Sequence, residues 1–388
     1  MVKTSLSSER RQHLFRQILS GYKNQEIATR KGLAIRNNLR PATVTQLIGE
    51  MIQSGLIIDD TINHQPGPGR PEVGIIPNLR QLTAIFICID ARNIIASLVD
   101  IRGIVLSSLN QPVLDDNADS EVLLTCLRNL ISQLLNNCLS DTWVQGIIIS
   151  LPGVIDAKLS HWLYTNRWPK ARHTDLSLLE AEFAIPVCLV KNLQAELNAF
   201  ILENHDLATK RVLYVHWGEG IGAASYSKQQ INANQQGLFG ELGQLTQGDD
   251  RTIEQMLSLS ALRGILNEAL PGELSNERAA AKALKDADIT ALPCLNNAVS
   301  IWSRVLANIY FILFPDVIIF SGPFTHNDAL FNGIIDGFNQ RVPDYFEQNV
   351  IFTINHKSFT NEMNGALSPF FEKLVTQYCQ DDCAVLRG

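Results

Sequence analysis

Four short apolar runs, each ending at a glycine or a turn, constrain the fold of this chain more than any other feature. They are rich in β-branched residues, and helical patterns separate them along the chain. The runs are Leu82–Asp90, Gly146–Ser150, Val212–Trp217 and Val317–Phe320. Continuous apolar strands separated by helices are typical of parallel or mixed sheets that are covered on both faces. The sequence therefore predicts an α/β body.

Length and composition exclude several classes of protein. The chain has 388 residues, 46% of them hydrophobic, which is enough to bury cores without disulfides or metals. The longest apolar stretch, Ile309–Phe320, is interrupted by Pro315 and Asp316, so we expect no transmembrane helix. The first residues lack the apolar stretch of a secretory signal. Seven cysteines without a C-x-x-C pair indicate reduced thiols and a cytoplasmic protein.

Charge is divided unevenly between the start of the chain and the rest. Residues 1–80 contain eleven Lys and Arg against six Asp and Glu, whereas the remaining residues contain 21 against 33. A basic segment ahead of an acidic body favours contact between that segment and a polyanion. A solvated basic face is an equally good explanation of the charge alone.

The basic segment has the helical pattern of a winged helix. Apolar residues at helical spacing predict a helix within residues 8–20, and a shorter helix is expected within residues 29–37. The clearest helix begins at Pro41, which suits the first helical position, and ends before Gly55. Its apolar stripe faces the bundle, while the polar side at its start presents Arg40, Thr43, Thr45 and Gln46.

These polar side chains can donate to phosphates and base edges, as the recognition helix of a helix-turn-helix requires. An ordinary amphipathic helix is the alternative. Two apolar runs, Leu56–Ile58 and Val73–Ile76, flank a Pro- and Gly-rich tip and predict a hairpin wing. Arg70 lies on that tip, where an arginine can enter a narrow A·T-rich minor groove.

Several motifs occur in the order and spacing of one family. The chain resembles transcriptional regulators of the ROK family (repressor, open reading frame, kinase) over nearly its whole length. The matching segments are Arg40–Thr45, Gly69–Pro71, Gly146–Asp156, Gly218–Ala223, Gly240–Gln244, Pro315–Gly322 and Gly365–Ala366.

The resemblance implies an α/β fold with an N-terminal winged helix. The body would have the two-lobed actin-like or hexokinase-like fold, a ribonuclease H-like ATPase fold built around a sugar cleft. We expect the DNA-binding head with its wing and connector at residues 1–80. The first lobe would span residues 81–192 and include the C-terminal helix at 369–388, and the second lobe would span residues 193–368.

Three departures from the family pattern argue against phosphoryl transfer. The first phosphate loop reads Asp90–Ile94 and lacks the two glycines that let a backbone wrap a phosphate. Glu219 replaces threonine in the second loop, where a carboxylate would repel a phosphate. Leu193 occupies the position of the family's catalytic aspartate and cannot accept a proton. The resemblance therefore implies a protein that is not an enzyme, with an ATP-dependent sugar kinase as the alternative.

The family's zinc site is missing as well. In the family, a histidine joins three cysteines, but here the histidine position is Gln244. The short segment from there to Glu254 contains no cysteine. Without thiolates or an imidazole, a tetrahedral structural zinc site cannot form. We therefore expect no metal and no other cofactor.

Part of the family's sugar site remains. The resemblance places Asn192, Glu241 and Glu254 at positions that contact sugar hydroxyls, with a looser match at Asn166 and Trp168. Glu241 could instead cap a turn, and Glu254 could be an ordinary acid at a helix N-terminus.

The combined expectation is a sequence-specific DNA-binding transcriptional regulator, a repressor of sugar-metabolism genes. It would bind double-stranded DNA at an A·T-rich operator with an inverted repeat, as a homodimer or homotetramer, and would not contact membranes. The body would sense a sugar or a sugar phosphate. Alternatively, it would serve only as a scaffold for oligomerisation or for a partner protein.

Overall fold

The computed structural model describes most of the chain. The described residues are 6–60, 73–89, 93–112, 114–115, 117–232, 239–247, 250–343 and 350–380. The predicted wing residue Arg70 and residues 90–92 of the first phosphate loop lie outside these ranges.

The N-terminal segment forms a winged helix-turn-helix, as the sequence predicts. Thr29 caps the second helix by accepting a hydrogen bond from the Gly32 amide (3.1 Å), and Gly55 ends the third helix with a φ of 82°. The strands form an antiparallel sheet in the order β1-β3-β2. The elements are α1 Leu6–Lys23, β1 Ala28–Thr29, α2 Arg30–Arg36, α3 Pro41–Gln53, β2 Ile57–Asp60 and β3 Gly74–Pro77.

The first lobe is built on a five-stranded mixed sheet in the order β11-β7-β4-β5-β6. The first three of these strands along the chain pair antiparallel, and β7 and β11 then run parallel to β4. The sheet strands are β4 Thr83–Ile89, β5 Asn93–Asp100, β6 Val105–Pro112, β7 Val144–Leu151 and β11 Val187–Lys191. The other elements are α4 Ser120–Asn136, β8 Val154–Asp156, β9 His161–Tyr164, β10 Thr174–Asp175, α5 Ser177–Phe183 and α6 Asn192–Glu203.

The second lobe repeats this topology, with the order β14-β13-β12-β17-β18. Here too, three antiparallel strands are followed by two parallel ones. Two sheets of this order confirm the predicted ribonuclease H-like, actin-like fold. The strands are β12 Val212–Trp217, β13 Ile221–Ser227, β14 Gln230–Ile231, β15 Thr246–Gln247, β16 Arg251–Thr252, β17 Val317–Ser321 and β18 Ile351–Ile354. The helices are α7 Ile253–Leu257, α8 Leu259–Ala269, α9 Glu277–Leu284, α10 Pro293–Leu313, α11 Asp328–Asn339 and α12 Phe359–Tyr378.

The last helix begins ten residues earlier than the start at residue 369 that the sequence suggested. Pro369 lies inside α12 rather than at its start, although proline cannot donate to the carbonyl four residues before it. That carbonyl, of Gly365, instead accepts a hydrogen bond from the side-chain amide of Asn198 on α6 (2.8 Å). The neighbouring helix thus supplies the donor that proline lacks, and the helix continues through Pro369.

One hydrophobic cluster joins the winged helix to the first lobe. Phe15 of α1 and Val44 of α3 belong to the same buried cluster as Phe86 of β4 and Phe371 of α12. The head is therefore packed directly against the body. Within the described ranges, no helix is both long enough and apolar enough to cross a membrane.

Candidate nucleic-acid interface and ligand cleft

The start of α3 presents a polar, accessible surface. Arg40, Thr45 and Gln46 are exposed, and Thr43 is half-buried. The Thr45 hydroxyl donates to the carbonyl of Pro41 (2.9 Å). The Gln46 amide nitrogen donates to Glu50 one turn later (2.9 Å), which fixes the direction of that side chain. The opposite side of α3 is buried in the head, so this polar surface is the part that can enter a groove.

Helix α2 adds two basic residues that the sequence analysis did not single out. Lys31 and Arg36 are both exposed, close along the chain to the exposed Arg40. Arg30 is instead paired with Asp59 of the wing (2.9 Å). Exposed cations beside a polar helix start suit phosphate contacts, which hold a recognition helix in register on a duplex. In the sequence, only the positive charge of residues 1–80 pointed to Lys31 and Arg36.

Glu241 and Glu254, two of the three predicted sugar contacts, are neighbours in the cleft. Glu254 on α7 accepts hydrogen bonds from the Ile221 amide (2.8 Å) and from Asn166 of the first lobe (3.3 Å). Burial is the main cause that raises the pKa of Glu254, and the nearby carboxylate of Glu241 adds to it. Asn166, which the family resemblance matched only loosely, therefore contacts the predicted site across the lobes.

The third predicted contact, Asn192, is the first residue of α6 and uses its side-chain oxygen to accept from the Leu193 amide (2.8 Å). Its neighbour Lys191 is 4% exposed and donates to the Glu241 carboxylate (2.6 Å) and to the carbonyl of Phe239 (3.2 Å). Glu241 is thus neutralised by a lysine from the first lobe. Because a sugar would have to share Glu241 with this cation, the site differs from an open carboxylate that binds a diol.

The second phosphate loop is filled by a carboxylate of the protein itself. Glu277, at the start of α9, accepts hydrogen bonds from the Glu219 amide (2.7 Å) and from the His216 ring (3.0 Å). A side chain at Gly218 would collide with both Glu277 and His216. Burial alone would raise the pKa of Glu277, but the His216 and Lys357 charges and these hydrogen bonds outweigh it and lower the pKa to about 2. The loop therefore already holds an anion.

The Glu219 side chain, which the sequence led us to expect opposite a phosphate, has a cationic partner within the protein. It forms an ion pair with Arg263 of α8. The charge of Glu219 is neutralised there, and the carboxylate that occupies the loop comes from α9. Sequence reasoning missed Glu277 because it lies 58 positions from Glu219, and only the run of small residues in the loop indicated that something approaches closely.

A buried polar network lies between the two lobes at the base of the cleft. Glu362 of α12 accepts from Ser150 (2.5 Å) and from the Cys88 thiol (3.3 Å). Glu196 of α6 is fully buried, and its carboxylate accepts a hydrogen bond from the Asn355 side chain (3.4 Å). Burial is the main cause that raises the pKa of Glu196 to about 8, and the carboxylate of Glu362 also contributes. Helices α6 and α12 thus meet through two acidic groups, and the Lys357 ammonium lies 3.9 Å from the Glu362 carboxylate.

The residues present do not fit the zinc site of the family. Gln244 ends a short 3-10 turn, and the segment after it forms the β15–β16 hairpin with no cysteine or histidine before Glu254. An amide and a hairpin of polar residues do not supply the thiolates and imidazole that structural zinc requires.

These features define a two-lobed, kinase-like body that carries a winged helix. The family model of the ROK family matches residues 93–370, and the chain belongs to that family. It is similar to the "Putative xylose repressor" of Caldicellulosiruptor sp. (strain Rt8B.4), with 24% identity over 218 residues. The match covers 54% of this chain and 52% of the relative, so the chain spans about half the length of the curated relative it matches.

Solved structures share the fold at low sequence identity. A ROK family transcriptional regulator, a homologue of the E. coli MLC protein, has a TM-score of 0.74 at 16% identity, and the alignment covers 96% of this chain and 99% of that one. A ROK hexokinase from Thermus thermophilus has a TM-score of 0.57 at 17% identity and covers 76% of this chain and 99% of its own. A ROK family glucokinase from Streptomyces griseus, solved with glucose and AMPPNP, has a TM-score of 0.55 at 15% identity, with coverages of 73% and 98%.

Proposed function

We propose that this protein is a sequence-specific DNA-binding transcriptional regulator, a repressor whose kinase-like body does not transfer phosphate. The observation that carries the proposal is the winged helix, with the polar start of α3 exposed and the rest of the head packed on the body. Domain boundaries near residues 80 and 192 would separate the head from the two lobes.

The head would read DNA through the start of α3. Thr43 and Gln46 would contact base edges, while Arg40 and Thr45 would contact phosphates or adjoining bases. Arg70 on the wing tip would enter an A·T-rich minor groove. A homodimer or homotetramer would bind an inverted repeat, because a two-fold protein matches a two-fold site.

Two features support a body that is not an enzyme. The Glu277 carboxylate occupies the loop amide that a nucleotide phosphate would need, and an anion held in the loop repels a second one. Leu193, at the position of the family's base, is buried and approaches Gly222 in place of a proton acceptor. A general base contributes about 10²–10⁴-fold to the rate of such a reaction, so phosphoryl transfer without one would lack this acceleration.

The cleft would bind an uncharged or phosphorylated sugar as an effector through Asn192, Glu241 and Glu254. A bound sugar that favours one relative arrangement of the two lobes would shift the position of the head. The alternative, a body that only oligomerises or docks a partner protein, is favoured by the ion pair between Lys191 and Glu241, which already satisfies one of the three groups.

DNA binding is tested by fluorescence anisotropy with operator fragments selected from random duplexes, at a fixed and stated salt concentration. Thr43→Ala and Gln46→Ala should each lower discrimination against single-base changes by about 1–3 kcal/mol at the contacted pair. The matched control is Gln133→Ala, an exposed glutamine on α4 of the body. Unchanged discrimination in both α3 variants would refute this placement of the reading surface.

The absence of phosphoryl transfer is tested separately with ATP and a panel of hexoses, pentoses and N-acetylated sugars. We expect no sugar-dependent ATP turnover above that of heat-treated protein. Turnover that a Glu254→Gln change abolishes would restore the kinase as the function of the body. Calorimetric titrations with the same sugars distinguish an effector cleft from a scaffold. If none of the sugars gives a heat of binding, the proposal that the cleft binds an effector is wrong.

A further inference from the structure

A buried arginine lies where the head meets the last helix of the body. Arg11 of α1 is 6% exposed. Its guanidinium donates twice to the carbonyl of Cys379, through Nε (3.1 Å) and Nη2 (2.7 Å). Cys379 is the C-cap of α12, where the last carbonyls of a helix carry the negative end of its dipole. The head thus holds the end of α12 by a charge-assisted contact.

The same guanidinium also holds the recognition helix. Its Nη1 forms an ion pair with Glu50 of α3 and lies 3.3 Å from the Ser7 hydroxyl. Glu50 in turn accepts the hydrogen bond from Gln46, on the proposed reading surface. One side chain therefore connects α1, α3 and α12, with 368 positions between Arg11 and Cys379.

At its other end, α12 is held in the base of the cleft. Glu362, in the first turn of α12, accepts from Ser150 of the first lobe. At Gly365, α12 crosses α6 so closely that a side chain would overlap the carbonyl of Ala195. Because α12 is a continuous helix from this crossing to Cys379, it couples the lobes to the contact that Arg11 makes.

We propose that Arg11 is a positioning residue that fixes the orientation of the recognition helix on the body and thereby sets the half-site spacing that the oligomer accepts. The inference rests on the proposed function, namely that two heads bind an inverted repeat. Each added base pair moves a half-site by about 3.4 Å and rotates it by about 35° around the DNA axis. Heads that are locked to their bodies cannot follow such a change, whereas loosened heads can.

The matched variants are Arg11→Met and Arg16→Met in the full-length chain. Methionine keeps part of the apolar stem of Arg11 and removes its donors. Arg16 is the control: it lies on the same helix and also pairs with α12, through Glu372 (2.7 Å), but both side chains are more than half exposed, and such pairs contribute little.

The measurement is affinity for the selected operator and for versions with the central spacer changed by one and by two base pairs. Wild type and Arg16→Met should bind operators of altered spacing about tenfold or more weakly than the selected operator. This factor corresponds to the free energy of one charge-assisted hydrogen bond. Arg11→Met should bind the optimal spacing more weakly and differ across spacings by less than about threefold. Discrimination against base changes within a half-site should stay the same in all three proteins.

That last readout separates positioning from a general loss of structure, which would weaken reading and spacing together. A spacing profile of Arg11→Met that parallels wild type would overturn the inference while leaving the proposed function intact. Sequence-specific wild-type binding with no spacing preference would overturn it equally. If no DNA is bound specifically by wild type, the proposed function itself fails. If Arg11→Met does not fold by circular dichroism, Arg11→Lys, which keeps the charge but cannot hold the Cys379 carbonyl and Glu50 at once, is read by the same criteria.

Discussion

Replacing Glu196 with glutamine should change how the stability of this protein depends on pH. Glu196 is fully buried on α6, its Oε1 has no partner among the described residues, and its pKa is raised from 4.5 to about 8. The folded protein therefore keeps a proton that the unfolded chain releases above pH 4.5. A raised carboxyl pKa contributes stability that is present below the unfolded pKa and is lost as the pH rises toward the folded pKa.

The size of the effect follows from the two pKa values. Each pKa unit corresponds to about 1.4 kcal/mol, so between pH 5.5 and 8 the wild type should lose about 3 kcal/mol that this group contributes at low pH. Glutamine resembles the protonated carboxyl in shape and hydrogen bonding, and Glu196→Gln should keep that stability.

The assay is guanidinium chloride unfolding at pH 5.5, 6.5, 7.5 and 8.5. Glu203→Gln is the matched control, because Glu203 is an exposed glutamate at the end of the same helix. The stability difference between Glu196→Gln and wild type should grow with pH, while Glu203→Gln should follow wild type. Profiles for Glu196→Gln and wild type that stay parallel within about 0.5 kcal/mol would refute the assignment of a buried, protonated Glu196.

Three further predictions test other contacts. Gly365→Ala should destabilise the protein by about 2 kcal/mol or more, measured by thermal unfolding, because the added methyl overlaps the carbonyl of Ala195. Glu277→Gln should destabilise it by about 1–3 kcal/mol at neutral pH. Since the pKa of Glu277 is lowered to about 2, that deficit should shrink as the pH falls from 4.5 toward 2, and a constant deficit would contradict an ionised Glu277 in the loop. Arg70→Ala should weaken binding to A·T-flanked operators more than to G·C-flanked ones in anisotropy titrations, and an equal loss on both would place Arg70 on phosphates alone.

The sequence was most informative where structure is determined locally. Pro41 and Gly55 mark the ends of α3 because each suits one helix terminus for a conformational reason of its own. The apolar runs were correctly interpreted as strands, since their residues are buried on both faces of two mixed sheets. These signals depend on neighbours within a few residues, which is why they can be read from the chain.

Contacts between distant segments could not be predicted in this way. Pro369 resembles a helix start, and only the amide of Asn198 on another helix allows α12 to pass through it. The carboxylate in the second phosphate loop comes from Glu277 in a distant helix, and the buried contact at Cys379 is made by Arg11 near the other end of the chain. Patterns in one sequence carry no record of such pairings, because tertiary packing alone brings them together.

Genome-wide immunoprecipitation of the tagged protein from its own host tests whether the head reads specific DNA. A strain carrying Thr43→Ala and Gln46→Ala is the control. We expect a small number of sharp peaks that share an inverted repeat and that disappear in the double variant. A wild-type profile without enrichment, together with purified protein that does not shift DNA at moderate salt, would contradict this expectation and leave the body as the functional part.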